Sequence, residues 1–286
     1  MTREPDLRVL NLGAGVQSST VLLMALAGEL PMPDLAVFAD TGWEPPAVYS
    51  HLAWLEQQAE RGGLEVVRVT AGNLRDDALD AEHKFASMPL FIRNPAGGKG
   101  ILRRQCTQEY KIEPIRREVV RRLGGVTRGT LAELWFGISA DEIGRVAQPR
   151  VRYTRHFYPL LDLTVDRGPG SRPAPVVTMG DGRGLRMNRN DCIRWLAAAG
   201  VQAPRSACIG CPFHSDAEWR AIKQRPDEWH DAVTFDAAIR ADGGRVRGQA
   251  FLHPSLLPLA DVDLSTAEDH GQQILFGDEC EGMCGV

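Results

Sequence analysis

The sequence predicts an α/β fold in which a parallel sheet carries helices on both faces. Apolar runs of strand length alternate with helical patterns from residue 6 to residue 70, and a further strand pattern follows at 130–139. Such alternation makes each helix cross back over the sheet, so that consecutive strands lie parallel. Helical patterns dominate later. We therefore expect an α/β nucleotide-binding domain, residues 1–165, and a helical cysteine-containing part, residues 166–286, packed on it.

Three strands and two helices are predicted before residue 71. The strands are the apolar runs 6–13, 34–42 and 64–70. The first helix starts at a pair of serines, which favour helix N-termini, and the second ends at two glycines. Apolar residues recur at helical spacing in the second helix, at Val48, Leu52, Leu55 and Ala59.

The remaining elements are predicted from weaker patterns. Residues 85–106 are rich in glycine and predict a long irregular loop, which in a compact domain is usually functional or disordered. A basic helix, residues 103–123, precedes the strand at 130–139. Three more helices are predicted in the C-terminal part, at 188–200, 215–224 and 227–241.

Composition restricts the location and the partners. The chain has 286 residues, 43% of them hydrophobic, and a net charge of -4. No apolar run approaches the roughly 20 residues of a membrane helix. The first residues, MTREPDLRVL, lack the apolar core of a secretion signal. We expect a cytoplasmic protein without a membrane partner, while the oligomeric state stays open.

The basic helix interrupts this acidic balance. Its cations are Arg103, Arg104, Lys111, Arg116, Arg117, Arg121 and Arg122. They form either a solvated helix face or a docking surface for a polyanion such as tRNA, DNA or a nucleotide.

The loop after the first strand, GAGVQSS, has the composition of a phosphate-binding loop. Glycines allow close backbone approach, and the amide groups of a helix N-terminus favour anions. The lysine-bearing P-loop is excluded, because no Gly-Lys-Ser/Thr follows. The dinucleotide pattern G-x-G-x-x-G matches at Gly13 and Gly15, and Asp40 ends the second strand where a ribose-binding acid would lie. Ser18, however, replaces its third glycine.

Four segments resemble those of one family. The loop is similar to the pyrophosphatase motif S-G-G-x-D-S, with Gly13 for its first serine and Gln17 for its aspartate. FADTGWE, CTQEYKIEPI, WFGISADEIGR and the later CIGC pair follow in the order of the PAPS (phosphoadenosine phosphosulfate) reductase-like family. That family belongs to the PP-loop ATP pyrophosphatase, or adenine nucleotide alpha hydrolase, superfamily. The resemblance covers about residues 8–215.

The resemblance implies a nucleotide site for ATP or PAPS, with Mg²⁺ wherever pyrophosphate leaves. The implied nucleotide-binding residues are Gly13, Gly15, Ser18, Ser19, Asp40, Thr41 and Gly137. Lys111 and Arg145 are the implied catalytic cations, which balance developing negative charge.

The cysteines predict a metal or redox centre, because four of the six form the close pairs CIGC and CEGMC. The resemblance implies a [4Fe-4S] cluster, with zinc as the runner-up. The expected ligands are Cys106, Cys208, Cys211 and, in place of a family cysteine that is Thr107 here, Cys192. His214 is a further possible zinc ligand, although capping or exposure is the simpler interpretation.

The C-terminal Cys280 and Cys284 suit sulfur transfer, because a transferring thiolate must be exposed and mobile. Cluster ligation or a zinc knuckle is their alternative role. We expect an ATP-dependent sulfurtransferase that receives sulfur from a donor protein. The alternatives are a PAPS or adenylyl-sulfate reductase, and a non-catalytic nucleotide-binding module whose metal site is structural.

Overall fold

The α/β fold predicted from the sequence is confirmed. The computed structural model describes residues 3–80, 82, 88–168, 174–241, 247–265 and 269. Its strands are β1 (Leu7–Asn11), β2 (Leu35–Asp40), β3 (Glu65–Thr70), β4 (Phe91–Arg93), β5 (Lys99–Ile101), β6 (Ala132–Phe136), β7 (Thr154–Tyr158), β8 (Leu163–Arg167), β9 (Pro175–Met179) and β10 (Gln249–Phe251).

The helices agree with the predicted ones, except that the predicted basic helix 103–123 begins later and consists of a π-helix followed by an α-helix; one short helix is added. The α-helices are α1 (Val16–Leu26), α2 (Pro46–Arg61), α3 (Leu74–Leu79), α4 (Glu113–Arg122), α5 (Arg189–Ala198), α6 (Asp216–Lys223) and α7 (Pro226–Ala241). A π-helix, Thr107–Ile112, runs directly into α4. None of the helices in the described ranges is long and apolar enough to cross a membrane.

Seven strands form the main sheet, in the order β3-β2-β1-β6-β7-β8-β9. The first five strands in this order, β3, β2, β1, β6 and β7, run parallel to one another. β8 and β9 extend the sheet as antiparallel strands. From β1 to β3 the chain adds strands toward one edge of the sheet. From β6 onward it adds strands toward the opposite edge. Between β1 and β6 this reversal leaves a crevice at the carboxyl ends of the strands, where ligands of such folds bind.

Successive side chains of a strand point to opposite faces of the main sheet, so each face has its own hydrophobic core. One core joins the sheet to α1, α2 and α5, and the four apolar positions predicted on α2 are all buried in it. The other core lies under α4 and includes Val9, Val37 and Val119. The sheet therefore carries helices on both faces, as the sequence predicts.

The C-terminal part is continuous with the α/β core. The predicted boundary at residue 165 falls inside β8, and α5 packs back on α1. Residues 85–106 were expected to form an irregular loop, but the described part contains the β4–β5 hairpin, whose Asn94 amide donates to the Gly98 carbonyl at 2.8 Å. β10 adds a third strand to this hairpin. Short strands need such a partner, and this one lies about 150 residues away in the sequence, so local patterns do not reveal it.

Gly137 lets the end of β6 pass against the first turn of α1. A Cβ atom at this position would lie 2.7 Å from the Ser18 backbone nitrogen and 2.9 Å from its Cα. We expect Gly137→Ala to lower the free energy of unfolding by about 1–3 kcal/mol, the usual cost of overpacking. Urea denaturation measures this change. Gly144→Ala is the control, because no atom lies within 4 Å of its added Cβ; equal midpoints for the two variants would refute the packing argument.

Candidate functional site

The loop between β1 and α1 forms a cradle at the crevice. The Gly13 amide donates to the Ser18 hydroxyl at 3.1 Å, and Ala14 adopts the left-handed conformation with φ +54°. No side chain of the described residues caps the first turn of α1, which begins after Gly15. Its amide groups therefore stay available to an anion, which the positive end of the helix dipole favours.

A cavity above this loop is rich in arginine. Four of the residues expected to bind the nucleotide line it, namely Gly13, Gly15, Ser18 and Gly137, together with the residues Asn11, Val16, Gln17, Phe136, Ile138, Glu142, Arg145, Arg189, Arg205 and Ser206. We call it the phosphate cavity. Guanidinium groups match phosphate oxygens in geometry as well as in charge, so three arginines beside free helix amides favour a ligand with several phosphate or sulfate oxygens.

Gln17, which replaces the motif's aspartate, organises two of these arginines. Its Oε1 accepts a hydrogen bond from Arg189 at 3.1 Å, and its Nε2 donates to Glu142 Oε2 at 3.2 Å. The other oxygen of Glu142 is paired with Arg145. The Nε of Arg145 is buried and has no hydrogen-bond partner among the described residues. This unsatisfied donor makes Arg145 suited to an incoming anion.

Ser19 does not belong to the cradle. Its side chain is fully buried, and its hydroxyl lies 2.9 Å from His51 Nε2 rather than at the phosphate cavity. Successive helix residues point about 100° apart, so with Ser18 at the cavity the Ser19 side chain turns toward α2. The prediction for Ser19 is therefore corrected to a packing contact between α1 and α2.

Asp40 and Thr41 lie away from the phosphate cavity. Asp40 Oδ1 accepts from the Gly42 amide and from the Tyr49 hydroxyl, both at 2.8 Å. Burial is the main reason that the pKa of the Tyr49 hydroxyl lies well above its usual value, and the hydrogen bond to Asp40 is the second reason. Asp40 thus shapes the turn after β2. Thr41 is buried beside Cys208, with its hydroxyl 3.3 Å from the sulfur.

A second cavity adjoins the first and is largely apolar. It is enclosed by the face of the sheet that carries Leu134 and Phe136 and by the π-helix and α4, with Ile112 and Ile115. Asn11, Gly13 and Phe136 line both cavities. We call the second one the apolar cavity. Its position beside a phosphate cradle suits the base and sugar of a nucleotide.

A third cavity brings three of the predicted ligands together. Cys106, Cys208 and Cys211 line it with Thr41 and Lys111. Lys111 also lines the apolar cavity, and its ammonium group lies 3.3 Å from Glu44 Oε1. The same carboxylate oxygen accepts from Thr41 at 3.3 Å, and Cys208 Sγ lies 3.7 Å away. We call this the cysteine cavity.

The donor types of the cysteine cavity fit an iron–sulfur cluster or zinc, both of which are bound by thiolates. Within the described ranges, however, no group of three His, Cys, Asp or Glu residues could hold a single metal ion. A cubane binds each thiolate to a different iron, so its ligands stand further apart than those of one ion.

His214 is buried, and its Nε2 lies 3.0 Å from the Cys208 carbonyl, so it supports the CIGC loop rather than being exposed.

Cys192 is not positioned to be the fourth ligand. It is fully buried on α5, in the core between the sheet and α1, whereas Cys208 packs in the separate core around Trp43 and Trp219. Burial raises the pKa of the Cys192 thiol to about 12, so the thiol stays protonated at neutral pH. Cys192 is therefore a packing residue. Cys280 and Cys284 lie outside the described residues.

The basic helix is partly neutralised. Arg121 and Arg122 both pair with Glu118, and Arg122 also pairs with Glu65. Arg116 and Arg117 are exposed, and Arg116 lines the apolar cavity. The positive charge that this helix offers to a polyanion is therefore smaller than the sequence predicts.

No known protein-family model matches the chain. No curated protein matches it either.

Several residues of the site are not predicted from the sequence. Arg189 and Arg205 come from the start of α5 and the segment after it, and Glu44 lies just beyond β2. Asn188, which caps α5, marks Arg189 as a first-turn residue, but no local pattern directs that residue toward a loop some 170 positions earlier.

The separation of Cys192 from the other cysteines generates a test. We expect Cys192→Ala to keep the metal content of anaerobically purified protein, because the thiol is a core group. The same variant should lose about 1–3 kcal/mol of unfolding free energy through the cavity it leaves. Cys208→Ala should lose the metal. Elemental analysis for iron and zinc, with urea denaturation, measures both effects; metal loss from Cys192→Ala in a folded protein would contradict the assignment.

Proposed function

We propose that the chain is a nucleotide-dependent sulfur-transfer enzyme related to the PP-loop ATP pyrophosphatases. The observation that carries the proposal is that three neighbouring cavities share lining residues. The phosphate and apolar cavities share Asn11, Gly13 and Phe136, and Lys111 lines both the apolar and the cysteine cavity. A nucleotide that fills the first two cavities therefore reaches Lys111 and lies next to thiol chemistry.

The first step is adenylation of the sulfur acceptor. An oxygen of the acceptor attacks the α-phosphorus of ATP, and the bond to pyrophosphate breaks. The free amides of α1 and the arginines of the phosphate cavity hold the departing phosphates. Arg145 is placed to balance the developing negative charge, because its buried Nε can donate to a phosphate oxygen.

The second step delivers sulfur. The outer sulfur of a cysteine persulfide attacks the activated atom, and AMP leaves with the acceptor's oxygen. Attack by a neighbouring thiolate on the new disulfide then releases the thiolated product and leaves an enzyme disulfide, which an external thiol reduces. Cys280 and Cys284 are proposed for this relay from the sequence alone. A sulfur-donor protein would supply the persulfide, and tRNA or DNA would dock beside Arg116 and Arg117.

Cys106, Cys208 and Cys211 are the residues that would hold a metal centre. A [4Fe-4S] cluster there would supply a redox-active group close to the nucleotide. Lys111 would offset part of the negative charge of the thiolates. Thr41, whose hydroxyl lies 3.3 Å from Cys208 Sγ, would orient that sulfur.

One observation favours a second candidate, the reduction of PAPS or adenylyl sulfate. Proteins usually bind Mg²⁺ through one or two carboxylates together with water and substrate phosphates, and Glu142, a carboxylate of the phosphate cavity, already bonds through both oxygens to Arg145 and Gln17. Arginines alone could neutralise a sulfonucleotide. In that reaction a thiolate attacks the sulfur of the sulfate group, the nucleotide leaves, and a second thiol releases sulfite while a disulfide forms.

Product analysis separates these functions. Full-length protein, purified without oxygen, is incubated with ATP, Mg²⁺, a persulfide donor and tRNA or DNA, and separately with PAPS and a reducing thiol. Pyrophosphate that increases with the nucleic acid supports sulfur transfer, and sulfite supports the reductase. Nucleotide binding without either product would instead support a non-catalytic module with a structural metal site.

Lys111 provides a variant that tests the link between the cavities. We expect the double variant Lys111→Met/Glu44→Gln to bind nucleotide normally and to turn over at least about 100-fold more slowly, because it lacks the cation between the nucleotide and the cysteines. Replacing both partners avoids leaving one buried charge alone. Calorimetry and the product assay measure the two effects. Lys99→Met, at an exposed lysine on β5, is the control; undiminished turnover in the double variant would exclude this role.

A further inference from the structure

His156 is the one histidine among the described residues that lines the apolar cavity. It lies on β7 in register with Leu134 of the neighbouring strand β6. Side chains alternate along a strand, so both residues face the cavity, whereas Trp135 and Phe157 pack together in the opposite core. The position of His156 on the cavity wall is thus a consequence of strand register.

The local contacts decide which ring nitrogen carries the hydrogen. His156 Nδ1 lies 2.8 Å from the Ala147 carbonyl oxygen, and a carbonyl can only accept. Nδ1 therefore donates. Burial lowers the pKa of His156 to about 4, so the ring is neutral near pH 7 and Nε2 carries a lone pair.

Neighbouring groups hold the ring in this orientation. The Tyr158 hydroxyl donates to the Ala147 carbonyl and accepts from the Ala147 amide, both at 3.0 Å, which fixes the carbonyl that the histidine contacts. The Phe136 ring meets the imidazole edge to face, with centroids 4.8 Å apart. Among the described residues no donor contacts Nε2. His156 Nε2 is therefore an acceptor held in a fixed orientation on the wall of a largely apolar cavity.

We propose that His156 is the specificity-determining residue for the base, with Nε2 accepting a hydrogen bond from the exocyclic amino group of adenine. The inference rests on the proposed nucleotide site, but it holds for ATP and PAPS alike, because both carry adenine. A purine with an oxygen at this position would place an acceptor against an acceptor. Leaving such a buried group unsatisfied costs binding free energy, so the site discriminates against hypoxanthine and guanine.

Calorimetric titration of the full chain with ATP and with inosine triphosphate (ITP) tests the proposal. We expect the unmodified protein to bind ATP about tenfold more tightly than ITP, the effect of one hydrogen bond. His156→Phe, which keeps a flat ring in the same place, should bind the two equally. His156→Gln should keep part of the preference, because its amide oxygen accepts. His230→Phe, at an exposed histidine on α7, should keep all of it.

The outcomes distinguish this inference from the proposed function. A preference for ATP that persists in His156→Phe would overturn the role of His156 alone. The absence of any nucleotide binding by the unmodified protein would overturn the proposed function and this inference with it. Purine riboside triphosphate, which lacks the amino group, gives a test that needs no variant. We expect it to bind about tenfold more weakly than ATP, and equal affinity would overturn the inference.

Discussion

The close packing of β6 on the first turn of α1 is the constraint on which the site depends. Gly137 has no Cβ, so the backbone beyond β6 reaches the backbone of Gln17 and Ser18 with no side chain between them. This contact sets the helix N-terminus and the 3₁₀ segment Ala140–Arg145 around one cavity. The glycine thus serves the approach of two protein segments, in addition to any approach of a ligand.

Arginine side chains from distant parts of the sequence supply the positive charge of the phosphate cavity. Arg145 follows β6, whereas Arg189 and Arg205 belong to the C-terminal part, and all three line the phosphate cavity. Gln17 and Glu142 hold two of them in a hydrogen-bonded network before a ligand enters. Holding cations in place lowers the ordering cost of binding an anion. The C-terminal part therefore contributes to the wall of the phosphate cavity and is not a separate appendage.

The predictable features of the molecule were those encoded locally. Alternating apolar periods predicted β1 to β3, α1 and α2, and the glycines between a strand and a helix marked the loop that lines the phosphate cavity. Contacts between distant segments were not predictable in this way. The β4–β5 hairpin pairs with β10, and Arg189 donates a hydrogen bond to Gln17; in both cases the partners lie far apart in the sequence. For Cys192, closeness in the sequence was misleading. It lies sixteen positions before Cys208, but the two residues pack in different cores.

A crystal structure with a non-hydrolysable ATP analogue tests the central claim most directly. We expect phosphate oxygens against the amides that begin α1 and against Arg145, with the base in the apolar cavity near Phe136 and His156. A saturating analogue that binds elsewhere, or that leaves its base outside the apolar cavity, would contradict the assignment of this crevice as a nucleotide site.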